Sequence, residues 1–227
     1  MKALKKFLRE FILTKKIYAR LANEKQKKVI RETLQLNGQA TMSTVQKVLE
    51  GTGARFFFDM GTLLGIIREG RLLSHDLDMD IALYINDIES IERLRGALRS
   101  KGAFLRYSYS VDGIGTVEDS FVMNGVKFDI NYYVNDGDLD VCYLLFKDPE
   151  KTYCADEMSV VKLTCPCVLE TKKINFMGAD ISVPVNAELY LANRYGPNWK
   201  IPDKKYVYWK GPSTSLTDYV GRISIGA

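Results

Sequence analysis

Asp76, Asp78 and Asp80 fall at alternate positions in SHDLDMDIALYI, where the segment from Leu77 to Ile85 otherwise has the composition of a buried strand. Successive side chains of a strand point to opposite faces, so Asp78 and Asp80 share one face while Met79, Ile81 and Leu83 take the other. Two carboxylates whose Cα atoms lie roughly 6.5–7 Å apart converge from one side. Desolvating such charges is costly without a partner, and the economical partner for several acids on one strand face is a divalent cation. A third acid from a neighbouring strand closes such a site, and Asp129, between Phe128 and Ile130 on a hairpin, has that setting. Hard oxygen ligands without His or Cys favour Mg²⁺ or Mn²⁺ over Zn²⁺. Asp76 lies on the same face and is expected to support the metal acids or act as a base. His75 is a second candidate base, because its ordinary pKa suits proton transfer near neutrality.

The segment just before the acids supplies the other half of a candidate site. Phe56-Phe57-Phe58 reads as a strand buried on both faces and ends on Asp59, expected either to support the metal acids or to cap the following turn. Met60-Gly61-Thr62 then turns the chain into a short helix from Leu63 to Ile67. Gly61 allows a phosphate to approach the backbone, and Thr62 is expected to cap a helix whose free N–H groups face it. Arg68 is placed to neutralise phosphate charge in bidentate fashion. Each part alone is commonplace; a strand, Gly-Thr, a helix, Asp-x-Asp on an apolar strand and a third acid on another strand make a far more specific combination.

The composition is that of an ordinary globular chain, 46% hydrophobic and 26% charged. No apolar run approaches the roughly 18–20 residues that span a bilayer, so a cytoplasmic location is expected. The four cysteines (Cys142, Cys154, Cys165, Cys167) have neither zinc-finger spacing nor a nearby histidine and are expected to be free thiols. Charge is uneven: residues 1–32 carry eleven Lys/Arg against three Glu, a net +8, which leaves −4 on the remainder. Leu4, Phe7, Leu8, Phe11 and Ile12 form an apolar stripe opposite Lys2, Lys5, Lys6 and Arg9. That stripe has two readings, packing on the body or lying on the inner face of an anionic membrane. Nucleic-acid binding is not expected, because no aromatic–basic platform accompanies the charge.

Helical period continues over about 15–35 and 40–50, ending at Gly51 and Gly53. Residues 1–35 are therefore read as a basic helical arm and 36–227 as the main domain. Asn86 with Glu89 suggests a capping box for a helix that turns Ile88, Ile91, Leu94 and Leu98 inward. Strands are expected over 104–111 and 116–123, and Asn124-Gly125 marks a hairpin into the strand 126–133. After a solvated turn at 135–138, strands are expected over 160–169 and 172–183, the second bending at Met177-Gly178, followed by a helix from Asn186 to Gly196. The tail beyond Pro197 shows no clear period. The order gives an α+β fold, a mixed sheet with flanking helices.

GTLLGIIREG at 61–70 followed by HDLDMDIAL at 75–83 resembles the core motif of the LicD/fukutin phosphotransferases, which have a nucleotidyltransferase-like fold. Phe176-Met177-Gly178, Val183-Pro184, Tyr190-Leu191 and Tyr195-Gly196 with Trp199 and Pro202 resemble that family's closing signature. Ser74-His75 and Leu77 depart from its commoner bacterial pattern. The resemblance implies Asp78, Asp80 and Asp129 as metal-binding catalytic carboxylates, and Gly61, Thr62 and Arg68 as donor-phosphate contacts. It implies a CDP-linked donor such as CDP-choline, CDP-glycerol or CDP-ribitol, and a cell-surface glycan or glycolipid acceptor. The competing expectations are an Asp-x-Asp glycosyltransferase using a nucleotide-sugar and a non-catalytic subunit that binds a nucleotide or glycan.

Overall fold

The computed structural model describes residues 2–85 and 87–226, with side chains from Ala22 onward. The chain opens on one helix, α1 (Lys2–Glu50), where three had been expected. No proline interrupts it, and the isolated Gly38 costs a helix only about 1 kcal/mol. Tertiary contacts offset that cost. Leu34, Met42, Val45 and Leu49 are buried on one face of α1. Gln46 exchanges hydrogen bonds with Ser182, accepting from its backbone N–H (3.0 Å) and donating to its hydroxyl (2.9 Å). The apolar stripe of residues 2–13 lies outside the described side chains, and no helix among the described residues is long and apolar enough to cross a membrane.

The elements that follow are β1 (Phe56–Asp59), α2 (Met60–Glu69), β2 (Asp78–Leu83), α3 (Ile88–Ser100), β3 (Phe104–Val111), β4 (Gly115–Met123) and β5 (Val126–Tyr132). Then come β6 (Val134–Asp136), β7 (Leu139–Phe146), β8 (Glu157–Pro166), β9 (Thr171–Phe176), β10 (Ala179–Pro184), α4 (Ala187–Tyr195) and β11 (Thr214–Ile225). Among the described residues, nine strands form one sheet in the order β1-β2-β5-β4-β3-β11-β8-β7-β6, and β9 and β10 form a separate hairpin. Among the described residues only β2 and β5 pair in parallel; the other pairings of the sheet are antiparallel, so the sheet is mixed, as expected for this α+β chain.

Three of these strands have no counterpart in the sequence reading; one of them, β6, falls where a solvated turn is expected. β7 is buried on both faces and so shows no alternation. β11 is mostly exposed, which leaves its sequence no apolar period, yet it sits between β3 and β8 and joins the two halves of the sheet. The α3 cap also differs from expectation. Asn86 lies outside the described residues; the side chain of Asp87 caps the helix, accepting from Ser90 N–H at 2.8 Å. That start leaves Ile88 exposed, while Ile91, Leu94 and Leu98 are buried as expected.

The Asn124-Gly125 hairpin has both residues in the left-handed region (φ 53° and 76°), the geometry of a two-residue turn. It rests on α1: the Asn37 side chain donates to Asn124 O at 2.7 Å, and a Cβ on Gly125 would lie 3.0 Å from the Thr33 methyl.

On the sheet face carrying Ile81 and Ile130, α3 is fastened by an ion pair. Arg95 donates to both oxygens of Asp119 at 2.7 Å each, Tyr132 OH donates to the same carboxylate at 2.8 Å, and Asp119 is fully buried. Asp119→Ala strands the Arg95 guanidinium and the Tyr132 hydroxyl, and is expected to lower unfolding free energy by about 3–5 kcal/mol in urea titrations. The exposed network of Arg222 with Asp112 and Asp156 offers a contrast: Arg222→Ala should leave the urea midpoint close to that of wild type.

Candidate active site

Strand register brings the acids together. Asp59 on β1 pairs with Asp80 on β2, Asp80 pairs with Asp129 on β5, and Asp129 pairs with Ser120 on β4. These four form a lateral row across adjacent strands, and paired residues point to the same face. One step along, Asp78 pairs with Lys127 on that same face. Asp78 and Asp80 stand off the buried side of β2, where Met79 and Ile81 are fully inaccessible. The alternation expected for β2 is therefore present, and Asp129 stands beside it.

Lys127 was not anticipated. Its ammonium donates to Asp78 Oδ2 at 2.8 Å and to Asp129 Oδ2 at 2.7 Å, bridging two of the three acids. The side chains of Lys127 and Asp78 remain 30% and 33% exposed against 9% for Asp129, so the cluster opens to solvent on the Asp78 side. A simple signal could have found this lysine: it lies two residues before Asp129 on a strand, hence on the same face.

The electrostatics follow from this crowding. Burial, then the charges of Asp78 and Asp129, push the Asp80 carboxyl well above the ordinary range. Burial also raises Asp129, with Lys127 pulling the other way. Asp76 is pushed up to about 7, by burial first and Asp78 second. Glu118, on the same face of β4, is raised to about 8 by burial and then by Asp129. Burial alone would lower the Lys127 pKa, but the charges of Asp129 and Asp78 outweigh it and the net shift is upward.

The Gly-Thr segment sits differently from expectation. Asp59, not Thr62, occupies the N-cap position of α2, and its side chain makes no capping hydrogen bond. Met60 takes a left-handed backbone (φ 49°) to swing the chain from β1 into the helix. Thr62 is fully inside, and its Oγ1 accepts from the backbone N–H of Asp80 at 2.9 Å. It thereby ties α2 to the middle of β2. Gly61 lies beneath the Asp76 carboxylate, where a Cβ would stand 3.4 Å from Oδ1, at ordinary contact distance. Arg68 is at the far end of α2, donating to Trp199 O (3.2 Å) and Glu69 Oε1 (2.9 Å). The six steps from Thr62 to Arg68 amount to roughly 9 Å of helix rise. His75 lies exposed in the turn that leads into β2.

At the β1 end of the row, Asp59 is fully buried and accepts from Tyr133 OH at 2.7 Å. Arg194 of α4, also buried, contributes its charge to this pocket, and its Nε and Nη1 lack hydrogen-bond partners. A cavity of about 970 Å³ lies elsewhere: Lys47, Tyr84, Asp87, Arg93 and Lys101 line it at the other end of β1 and β2.

The donor set suits a hard cation. Asp59 Oδ1, Asp76 Oδ2 and Asp129 Oδ1 are buried without a hydrogen-bond partner. Among the described residues no three His, Cys, Asp or Glu side chains are already gathered into a closed cage. Mg²⁺ does not require one, since it is usually held by one or two carboxylates plus substrate phosphates and water. All four cysteines are free thiols, with Cys142 and Cys165 buried.

A mixed sheet that carries a lateral row of acids on neighbouring strands, one helix after a Gly-Thr segment, has the architecture of a nucleotidyltransferase-like domain. Residues 53–186 match the family model described as LicD/FKTN/FKRP, nucleotidyltransferase domain, more than half of the chain, and the chain belongs to that family. It is 26% identical over 183 residues to human ribitol-5-phosphate transferase FKTN, covering 73% of this chain and 34% of that protein. It is 40% identical over 57 residues to human ribitol 5-phosphate transferase FKRP, covering 25% of this chain and 12% of that protein. The mouse FKTN match has the same extent as the human one. The chain thus spans about a third or less of the length of these curated relatives.

Thr62→Val keeps shape and removes the acceptor of the Asp80 N–H. It is expected to cost about 1–3 kcal/mol in a urea titration, whereas Thr62→Ser retains wild-type stability.

Proposed function

We propose that this chain is a phosphotransferase that moves a phosphorylated alcohol from a CDP-linked donor to a hydroxyl of a glycan or glycolipid. The observation that carries the reading is the row of Asp59, Asp80 and Asp129 on three adjacent strands, with Asp78 beside it and buried carboxylate oxygens left unpaired. Membership of the LicD/FKTN/FKRP family supports the reaction class. The FKTN and FKRP relatives are ribitol 5-phosphate transferases, which favours ribitol 5-phosphate as the transferred group over phosphocholine or glycerol phosphate.

In this reading the acceptor hydroxyl attacks the phosphorus that bears the alcohol. A new P–O bond forms, the P–O bond to CMP breaks, and CMP departs with the anhydride oxygen. The acceptor proton passes to a carboxylate; Asp76, raised to about 7 by burial and then Asp78, is the acid suited to take and release it. Asp78, Asp80 and Asp129 are the residues that would hold Mg²⁺ or Mn²⁺. When bound, the ion supplies charge stabilisation to the phosphate oxygens. Lys127 neutralises part of the acid cluster, and Thr62 fixes the backbone beneath Asp80. Gly61, under Asp76, and Arg68, at the far end of α2, are the proposed contacts to the remainder of the donor.

The test is mass spectrometry of the protein incubated with CDP-ribitol, CDP-glycerol, CDP-choline and UDP-sugars, each with Mn²⁺ and candidate oligosaccharides. Release of CMP with a phosphoalditol-modified glycan is expected. Release of UDP instead overturns the reading in favour of a glycosyltransferase, and absence of any turnover in favour of a binding subunit. Asp78→Asn and Asp80→Asn should each lower turnover about a thousandfold or more while the circular dichroism stays native; full activity in both variants sinks the assignment.

A further inference from the structure

Lys127 is a cation already seated between two carboxylates proposed to bind another cation. Its two hydrogen bonds (2.8 and 2.7 Å) reach Asp78 and Asp129 on different strands, and they engage one oxygen of each. Asp129 Oδ1 remains buried and unpaired, so a single ammonium leaves the donor set only partly satisfied. The register that pairs Lys127 with Asp78 puts the lysine across the β2–β5 gap rather than beside the row, and its side chain is 30% exposed, with a way out towards solvent. Three ionised carboxylates within reach of one another repel, and a positive charge seated among them relieves that repulsion.

We infer that Lys127 is a built-in counter-ion that holds Asp78 and Asp129 in the metal-free protein and competes with the divalent cation for them. Binding of the ion displaces the ammonium towards solvent, so Lys127 sets the metal affinity of the site. The lysine is a positioning residue here: it acts through the two carboxylates. The inference rests on the reading of Asp78 and Asp129 as metal ligands but needs neither a CDP-linked donor nor a glycan.

The experiment uses the full chain and Mn²⁺ alone, with free Mn²⁺ followed by electron paramagnetic resonance and melting temperature recorded in parallel. Lys127→Met and Lys127→Gln should bind Mn²⁺ roughly ten- to a hundredfold more tightly than wild type, a coupling of ordinary size for two ligands that share a site. Lys127→Arg keeps the charge and should stay at or below wild-type affinity. In EDTA the Met and Gln variants should melt below wild type, since their acids lack a counter-ion. Saturating Mn²⁺ should then raise their melting temperatures by more than it raises that of wild type. Asp78→Asn combined with Lys127→Gln should lose the gain in affinity. Unchanged or weaker Mn²⁺ binding in both uncharged variants overturns the inference, as does melting insensitive to Mn²⁺. A failed transfer assay with these Mn²⁺ results intact would fall on the donor reading alone.

Discussion

Mutual repulsion among carboxylates on one sheet face is the constraint around which this protein is arranged. Neighbouring strands lie about 5 Å apart, and at an effective dielectric of about 20 each pair of ionised acids at that separation repels by on the order of 3 kcal/mol. Asp59, Asp80 and Asp129 occupy successive positions in such a row, with Asp78 one step along. Burial first, and the neighbouring acids after it, raise Asp76, Asp80, Asp129 and Glu118. Such a row persists only because the surrounding structure is stable enough to hold it, which is how strained functional sites survive in otherwise well-packed proteins.

The stabilising structure lies on the other face. Ile81, Phe128 and Ile130 are fully inaccessible, and α3 is fastened through Arg95 to Asp119, with α1 reaching the hairpins beside it through Gln46 and Asn37. Asp119 is adjacent in sequence to Ser120, which belongs to the acid row, yet it points the opposite way and is fully paired. Two neighbouring residues of one strand thus serve opposite ends, one anchoring a helix and the other facing the site. Period-two geometry makes that division possible.

The segment between β1 and β2 links the two requirements. α2 starts at a left-handed Met60, and Thr62 reaches the backbone of Asp80, so the helix indexes the height of the acid strand. Arg68 at the other end of α2 engages the carbonyl of Trp199 and thereby joins this motif to the chain's distant Tyr-Gly…Trp stretch. Two separated sequence motifs prove to be one spatial unit.

Much of this was legible in the residues themselves. Asp78 and Asp80 had to share a face because a strand alternates, and Asn124-Gly125 had to be a hairpin because few other residue pairs tolerate two left-handed positions. That hairpin already implies Ser120 opposite Asp129, and the period-two rule already puts Lys127 beside it. Other features were decided only in three dimensions. Whether Thr62 caps a helix or ties it to a strand depends on how far β2 lies from α2, and the alignment of Asp59 with Asp80 depends on an antiparallel pairing that no local pattern specifies. β7, apolar on both faces, and β11, exposed for most of its length, lack alternation, so their places in the sheet come from long-range pairing alone. Local chemistry determined which residues could form the site; the order and register of the strands decided which of them meet.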